Sequence, residues 1–339
     1  MTKGLVLLTG LNGYIAAQTA AALLAAGYSV RGSVRKSASA AQVVAALSKY
    51  GDRLEVIEVP DITAPGAFDE AVKGVSAVAH LATPVSLSFD DPEPVLRTAV
   101  EGTTRVLESS AGEPSIRSFV VMSSIAAIFG PKPDGHVFTE ADWNATSEAL
   151  VASQGKGAPG LHIYAASKVA AERAFWKFRD EKKPGFTMTA INPVFVAGPP
   201  LVTPTTPEQI SGTVSWVYHL LAGRKMSTVF PGGGFADVRD VARMVVFGID
   251  QAEKADGERY LVSGSFGTPQ AAVDVLRRAY PDRRDVIEVG TPGEGYNADY
   301  SYPSSSIYNS SKAVKATGQP FIGYGKMVLD SAKAFEGLL

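Results

Sequence analysis

The chain has 339 residues, enough for two domains or for one large domain carrying a lobe. Its composition, 45% hydrophobic and 19% charged, fits a globular protein with a sizeable core, and its net charge of -2 offers no footprint for nucleic acid or an anionic membrane surface. The absence of cysteine excludes disulfides, thiolate catalysis and cysteine-ligated metals, and the four histidines (His80, His136, His162, His219) form no local metal motif. No apolar run is long enough for a membrane span, and the run Leu5 to Leu8 is too short for a signal peptide, so a cytoplasmic protein is expected.

Leu5 to Leu8 is a short continuous apolar run ending in Thr9-Gly10, which predicts a buried parallel strand. Gly10-Leu11-Asn12-Gly13-Tyr14-Ile15-Ala16 follows and opens an alanine-rich helix over about 14–26 that stops at Gly27. A strand, a glycine turn and a helix N-terminus together make a phosphate site, because glycine lets the backbone come close and the first helical N–H groups face the anion. A second strand, Ser29 to Val34, runs into Arg35-Lys36 with no carboxylate at its end. An acidic residue there would hold the ribose 2′-hydroxyl of NAD, whereas an arginine fork suits a 2′-phosphate, so NADPH is the expected cofactor.

A helix is predicted over 39–50 with Val43, Val44 and Leu47 on one face, then a third strand, Leu54 to Val59, ending in Pro60-Asp61-Ile62. Asp61 could accept from an adenine amino group or close a turn. The fourth strand is Val75 to Leu81, followed by Ala82-Thr83; His80 within it reads as a satisfied core histidine. A helix over about 93–110 leads to a fifth strand, Ile116 to Met122, which ends in Ser123-Ser124. A hydroxyl at the carboxyl end of a central strand stands where doubly wound sheets put their ligands. A loop of nearly forty residues is then expected before the helix over 162–180, and a loop that long in a compact domain is usually functional.

That helix carries Tyr164 and Lys168, four residues apart and hence on one face. A lysine cation beside a tyrosine is expected to lower its pKa, and such a phenol can exchange a proton with a carbonyl oxygen. Tyr308 and Lys312 repeat the spacing, but they follow a Ser/Tyr/Pro-rich loop and have no strand-end serine upstream, so they are taken as a decoy. A sixth strand, Phe186 to Ile191, precedes Asn192-Pro193. Beyond it the prolines break regular structure; a helix is predicted over 207–221, a turn over 230–234, and a strand end plus helix over 237–249.

Thr9-Gly10-x-x-Gly13-x-x-Ala16, Ser123-Ser124, Tyr164-x-x-x-Lys168, Asn192-Pro193 before Gly198-Pro199, and Asp237-Val238-Arg239-Asp240-Val241-Ala242 form an ordered set. Over nearly the whole chain this set resembles the extended short-chain dehydrogenase/reductase family, in the branch of dihydroflavonol and cinnamoyl-CoA reductases and the fungal NADPH-dependent aldehyde and ketone reductases. The resemblance implies an α/β fold: a Rossmann-type doubly wound parallel sheet with a smaller mixed α/β C-terminal substrate lobe. The NADPH domain is expected over 1–193, with 235–262 and about 305–312 returning to it; the lobe takes 194–234, 263–304 and 313–339.

By the same resemblance Tyr164 is the general acid, Lys168 tunes it and binds the nicotinamide ribose, and Ser124 holds the substrate carbonyl. The cofactor is expected on Thr9, Gly10, Asn12, Gly13, Tyr14, Ile15, Arg35, Lys36, Asp61, Ile62, Ala82, Thr83, Tyr164, Lys168, Pro193 and Val196. No metal, nucleic acid or membrane partner is implied; the expected partner is a small aldehyde or ketone, and the expected state is a monomer or homodimer. Phe89, Phe129, Phe195, Leu201, Trp216 and Tyr218 are pocket candidates. Ala16 replaces the third glycine of the turn, and the cysteine-containing signature of cinnamoyl-CoA reductases is missing, which counts against a CoA thioester. A dihydroflavonol reductase-like enzyme, a nucleotide-sugar epimerase or dehydratase, and a non-catalytic NADP-binding regulator are the alternatives.

Overall fold

The computed structural model describes residues 2–83, 85–86, 88–229, 232–301 and 308–339. In chain order its elements are β1 (Leu5–Thr9), α1 (Tyr14–Ala25), β2 (Ser29–Val34), α2 (Ala41–Ala46), β3 (Leu54–Glu58), β4 (Ala77–His80), α3 (Pro92–Ala111), β5 (Ser118–Met122), α4 (Ala145–Gln154), α5 (Gly160–Lys182) and β6 (Thr187–Pro193). There follow β7 (Phe195–Ala197), α6 (Ser215–Leu221), β8 (Gly233–Asp237), α7 (Val238–Asp250), α8 (Ala252–Ala255), β9 (Arg259–Val262), β10 (Ser265–Gly267), α9 (Pro269–Ala279), α10 (Ser311–Thr317) and α11 (Tyr324–Lys333). The chain forms two compact units, Met1–Asn192 with Ala242–Tyr260, and Pro193–Val241 with Leu261–Leu339.

The first sheet has the order β3-β2-β1-β4-β5-β6-β9. Pairings from β3 through to β6 are parallel, each successive strand being reached by a crossover connection rather than a hairpin. The order reverses between β1 and β4, so Thr9 lies opposite His80 at the carboxyl edge, where doubly wound sheets bind their ligands. Strands covered on both faces read as unbroken apolar runs: Val6, Leu7 and Leu8 are fully buried, and every residue of β5 is buried. Phe119 of β5 is the hub of one core face, 5.8 Å from the Phe175 ring and 6.0 Å from the Phe186 ring. His80 packs edge-on to Phe68 in the same cluster and is buried, as its place inside a strand implied.

The second unit is built on a three-stranded sheet, β10-β8-β7, with β7 parallel and β10 antiparallel to β8. Trp216 stacks on Tyr324, and both lean on Phe235, so Trp216 is core packing. The Asp237–Arg239 motif is a clamp. Asp237 receives Arg239 Nε at 2.8 Å and Nη2 at 2.7 Å, and Arg239 Nη1 reaches Asp330 at 2.8 Å. Asp240 accepts the Ile322 N–H at 2.7 Å, so an arginine and an acid of one motif tie down the C-terminal helix segment.

Several expected boundaries move. Residues 235–241 and 308–312 belong to the second unit, because β8 pairs there and because Tyr308 stacks on Phe266 while Ser310 bonds the Ser263 carbonyl. Of the expected return at 305–312, residues 305–307 lie outside the described residues, as do Phe230 and Pro231 of the expected turn; Gly233 and Gly234 open β8 instead. The helix expected over 39–50 keeps only 41–46 as α-helix between two 3-10 turns, and Val44 is 37% exposed, off the buried face of Val43 and Leu47. The helix expected over 207–221 is a 3-10 turn at Pro207–Gln209 and then α6, with Gly212 between them. The long connection before Tyr164 contains α4, capped by the Asn144 side chain on the Ser147 N–H at 3.0 Å. Replacing Phe119 with alanine should remove about 3–5 kcal/mol of unfolding free energy in chemical denaturation, the cost of emptying a fully buried aromatic site. A loss below about 1 kcal/mol would show that this ring is not the packing hub.

Candidate active site

At the switch point the turn after β1 is tied to its neighbours on both sides. The N–H groups of Gly10 and Leu11 donate to the Ser33 carbonyl of β2 at 2.9 and 3.0 Å. Gly10 has φ +73, and a Cβ there would stand 3.3 Å from the Ala82 Cα after β4, so the backbones meet where only glycine fits without strain. Thr9 Oγ1 accepts from the N–H groups of Leu81 and Ala82, both at 2.9 Å, and lies 2.9 Å from His80 Nδ1. With both lone pairs taken, the hydroxyl must donate to Nδ1, which fixes His80 as the neutral tautomer protonated on Nε2. Burial and the charge of Lys168 push the His80 pKa down to about 3, in agreement with that neutral form.

Gly13 caps α1 with its backbone alone, and Asn12 and Gly13 are exposed, so the start of the helix offers N–H donors of the kind that hold a phosphate. Arg35 and Lys36 leave β2 exposed, two and three residues beyond the Ser33 carbonyl that anchors the turn. Tyr14 and Ile15 occupy the first turn of α1. Asp61 closes an Asx turn: its Oδ1 accepts from Thr63 N at 2.8 Å and Thr63 Oγ1 at 2.7 Å, and these bonds hold its carboxyl below the usual range. Of the two readings of Asp61, the turn is the one these contacts display. Ile62 packs into the apolar core, and Ala82 and Thr83 follow β4 beside the glycine turn.

Ser124 caps a 3-10 turn at the end of β5, its Oγ accepting from Ala126 N at 3.1 Å, and the same hydroxyl is the polar neighbour that acts on the Tyr164 phenol. Lys168, one turn along α5, is 4% exposed and donates from Nζ to the Met122 carbonyl at 3.4 Å. Ser124, Tyr164 and Lys168 therefore converge at the carboxyl end of β5. Tyr308 and Lys312 do not imitate this, since α10 begins only at Ser311 and leaves Tyr308 off the helix.

The electrostatics differ from the expectation of a lysine-lowered phenol. Burial raises the Tyr164 pKa, and the group that opposes the rise is the Ser124 hydroxyl, which favours phenolate by bonding it. Burial also lowers Lys168 to about 8, against the raising effect of the Glu172 carboxylate. Desolvation thus disfavours charge on both groups.

Pro193 ends β6 and Val196 lies in β7, both in the second unit. Among the pocket candidates, Phe129 is 45% exposed beside Phe138, Phe89 packs on a small cluster around Ile163, and Phe195 meets Phe235 edge-on. Sequence reasoning missed Glu172 and Arg259. The Tyr164, Lys168, Glu172 spacing of four carried a signal for the first, but nothing local couples it to an arginine 87 residues away.

The family model described as the NAD dependent epimerase/dehydratase family matches residues 6–263. The chain belongs to this family of extended short-chain dehydrogenases/reductases, as the order of its motifs implied. It is 39% identical over 314 residues to aldehyde reductase 2 of Sporidiobolus salmonicolor, which covers 90% of each chain. It is 31% identical to the NADPH-dependent methylglyoxal reductase GRE2 of Saccharomyces cerevisiae, covering 98% of this chain and 99% of that one. The crystal structure of yeast methylglyoxal/isovaleraldehyde reductase Gre2 complexed with NADPH superposes with a TM-score of 0.84 at 29% identity, over 99% of this chain and 100% of that one.

If Ser124 is what holds the Tyr164 phenol down, Ser124→Ala should raise its titration midpoint further. The check is ultraviolet tyrosinate absorbance, taken as a difference against the matched Tyr164→Phe protein. A midpoint that stays put or falls would mean that the hydroxyl does not stabilise the phenolate.

Proposed function

We propose that the chain is an NADPH-dependent reductase of aldehydes and ketones, with Tyr164 as general acid, Ser124 as carbonyl-oxygen donor and Lys168 as the buried cation beside them. The observation that carries this reading is that Ser124, at the carboxyl end of β5, and Lys168, buried one helical turn beyond Tyr164 and bonded to the last carbonyl of that strand, converge on the phenol. Its support from outside the chain is that the similar reductases act on aldehydes and methylglyoxal, one of them by name with NADPH.

The residues present fit a dinucleotide phosphate. The Gly10 conformation lets backbone approach backbone, and the α1 N-terminus is capped by no side chain. Gly10, Asn12, Gly13, Tyr14 and Ile15 would hold the pyrophosphate side, and the exposed Arg35 and Lys36 the 2′-phosphate; Thr9, expected among them, is buried with its hydroxyl spent on Leu81, Ala82 and His80, and supports the turn from behind. Asp61 and Ile62 would border the adenine, and Ala82 and Thr83 would line the nicotinamide side. When bound, NADPH supplies the hydride.

The protein's own work is polarisation and proton delivery. Ser124 and Tyr164 donate to the carbonyl oxygen and stabilise the charge that grows there as hydride reaches the carbon. Tyr164 then gives up its proton, the O–H bond of the alcohol forms, and the phenolate is left beside the Lys168 ammonium. A phenol kept protonated by burial suits the reductive direction at neutral pH. The positive charge on Lys168 is fully present below its folded pKa and is lost as pH rises through about 8, so kcat/KM for reduction should fall above that pH.

Tyr164→Phe should lower kcat for carbonyl reduction about a thousandfold while NADPH affinity stays within a few-fold, measured by NADPH absorbance and by fluorescence binding. Wild-type turnover in that variant would remove Tyr164 from the chemistry. Arg35→Ala should weaken NADPH at least about tenfold and leave NADH nearly unchanged, as expected for losing a charge-assisted bond to the 2′-phosphate. Equal losses for the two cofactors would place the 2′-phosphate elsewhere. Net consumption of NADPH by a simple aldehyde separates this reading from epimerisation, which returns its hydride and consumes none.

A further inference from the structure

One turn beyond Lys168 on α5, the first unit buries a carboxylate that the proposed chemistry does not use. Glu172 is 1% exposed. Four side chains converge on it: Arg259 from Nε at 2.6 Å and Nη2 at 3.3 Å, Ser123 from Oγ at 2.5 Å, Asn192 from Nδ2 at 2.8 Å, and Trp176 from Nε1 at 3.3 Å. Arg259 is itself anchored on the carbonyls of Glu140 at 2.6 Å and Asp142 at 2.8 Å, with its guanidinium 4.0 Å from the Trp143 ring centre. Buried ion pairs are commonly no more stabilising than apolar groups of the same volume, so packing alone is a weak reason for this one.

Its contacts lead to the reactive groups. Ser123 immediately precedes Ser124, and Asn192 Nδ2 donates both to Glu172 and, at 3.3 Å, to the Ser124 carbonyl. Glu172 thus grips the strand end from which Ser124 reaches Tyr164. Lys168 and Glu172 also share a cavity of about 10 Å³, bordered by His80, Thr103 and Ser123, with room for roughly one water.

We propose that Glu172, with Arg259 as its counter-ion, is a positioning residue of this site that holds the Ser124 strand end in place and keeps Lys168 cationic inside the protein. The proposal rests on the reductase reading of Ser124, Tyr164 and Lys168. The groups facing Lys168 leave this task to Glu172. From β4 comes His80, kept neutral; from α3 comes the uncharged Thr103; from β5 come the Met122 carbonyl and Ser123. On α5 itself Tyr164 is a neutral phenol at physiological pH, and Glu172 is the charge that opposes the desolvation of the amine. Arg259 acts on Lys168 through Glu172, to which it is bonded.

The test uses cofactor-free protein labelled with carbon-13 at the lysine ε position. The Lys168 resonance is assigned by its loss in Lys168→Met, and its pH midpoint is followed by NMR. In Glu172→Gln, which keeps the shape and removes the charge, the midpoint should fall by roughly one pH unit or more. The basic limb of kcat/KM should move the same way. Glu172→Asp, which keeps the charge, should hold the midpoint near wild type while kcat drops, because the shorter side chain cannot reach Ser123 as well. If Glu172→Gln does not fold, Glu172→Gln with Arg259→Met removes the pair together, and its midpoint should also lie below wild type. A midpoint equal to wild type in either charge-free protein, whatever happens to its melting temperature, overturns the proposal and leaves Glu172 a structural residue. An active Tyr164→Phe enzyme would defeat the reductase mechanism instead and would leave the Lys168 midpoint where it is.

Discussion

Lys168 carries a positive charge into a protein interior, and much of the first unit is arranged around that fact. A buried ammonium is costly unless its donors are met and its charge is opposed. Here the Met122 carbonyl takes one donor, and the Glu172 carboxylate opposes the desolvation that drives the amine towards neutrality. Glu172 would in turn be an uncompensated anion without Arg259, and Arg259 is fixed by two carbonyls from the connection that precedes α4 and by the Trp143 ring. One buried charge therefore draws together α5, the end of β5, β9 and a long connection.

The sheet supplies the other half of the arrangement. Reversal of strand order between β1 and β4 opens a crevice at the carboxyl edge, and parallel strands deliver their last residues to that same edge. Thr9, Ser33 and Ala82 meet there around the glycine turn, while Ser124 arrives two strands away from β1. The Thr9 hydroxyl shows how little is left to chance: it accepts two N–H groups and sets the tautomer of a histidine beside the cavity that Lys168 shares. A change at Thr9 is thus a change in the polarity of that cavity, at a residue that shows no charge of its own.

Much of this was legible in the sequence because local signals agreed with the global fold. The apolar runs of β1 and β5, the glycine turn and the spacing of Tyr164 and Lys168 each have a short-range cause, and those elements lie where they were expected. The departures share a different cause. Helix α4 is a ten-residue helix of mixed small and polar residues followed by a glycine-rich stretch, and its start carries a side-chain cap from Asn144. The expected 207–221 helix is broken by Gly212, which the apolar periodicity after it concealed. The sense of the Tyr164 shift could not be read from spacing, because burial, a property of the whole fold, sets its direction, and the group that opposes it is the Ser124 hydroxyl. Glu172 and Arg259 are joined across 87 residues, and no local pattern announces such a pair.

The central claim is that Ser124, Tyr164 and Lys168 deliver a proton to a carbonyl oxygen while hydride from NADPH reaches the carbon. It is tested most directly with NADPH deuterated at the transferable position, a panel of aldehydes, 2-oxoesters and aryl ketones, and mass spectrometry of the products. The account predicts alcohols carrying one deuterium on the carbinol carbon from the wild-type protein, and about a thousandfold less from Tyr164→Phe at similar cofactor affinity. Protein that binds the cofactor yet transfers no deuterium to any of these carbonyls, or a Tyr164→Phe protein that transfers it as fast as wild type, would contradict it.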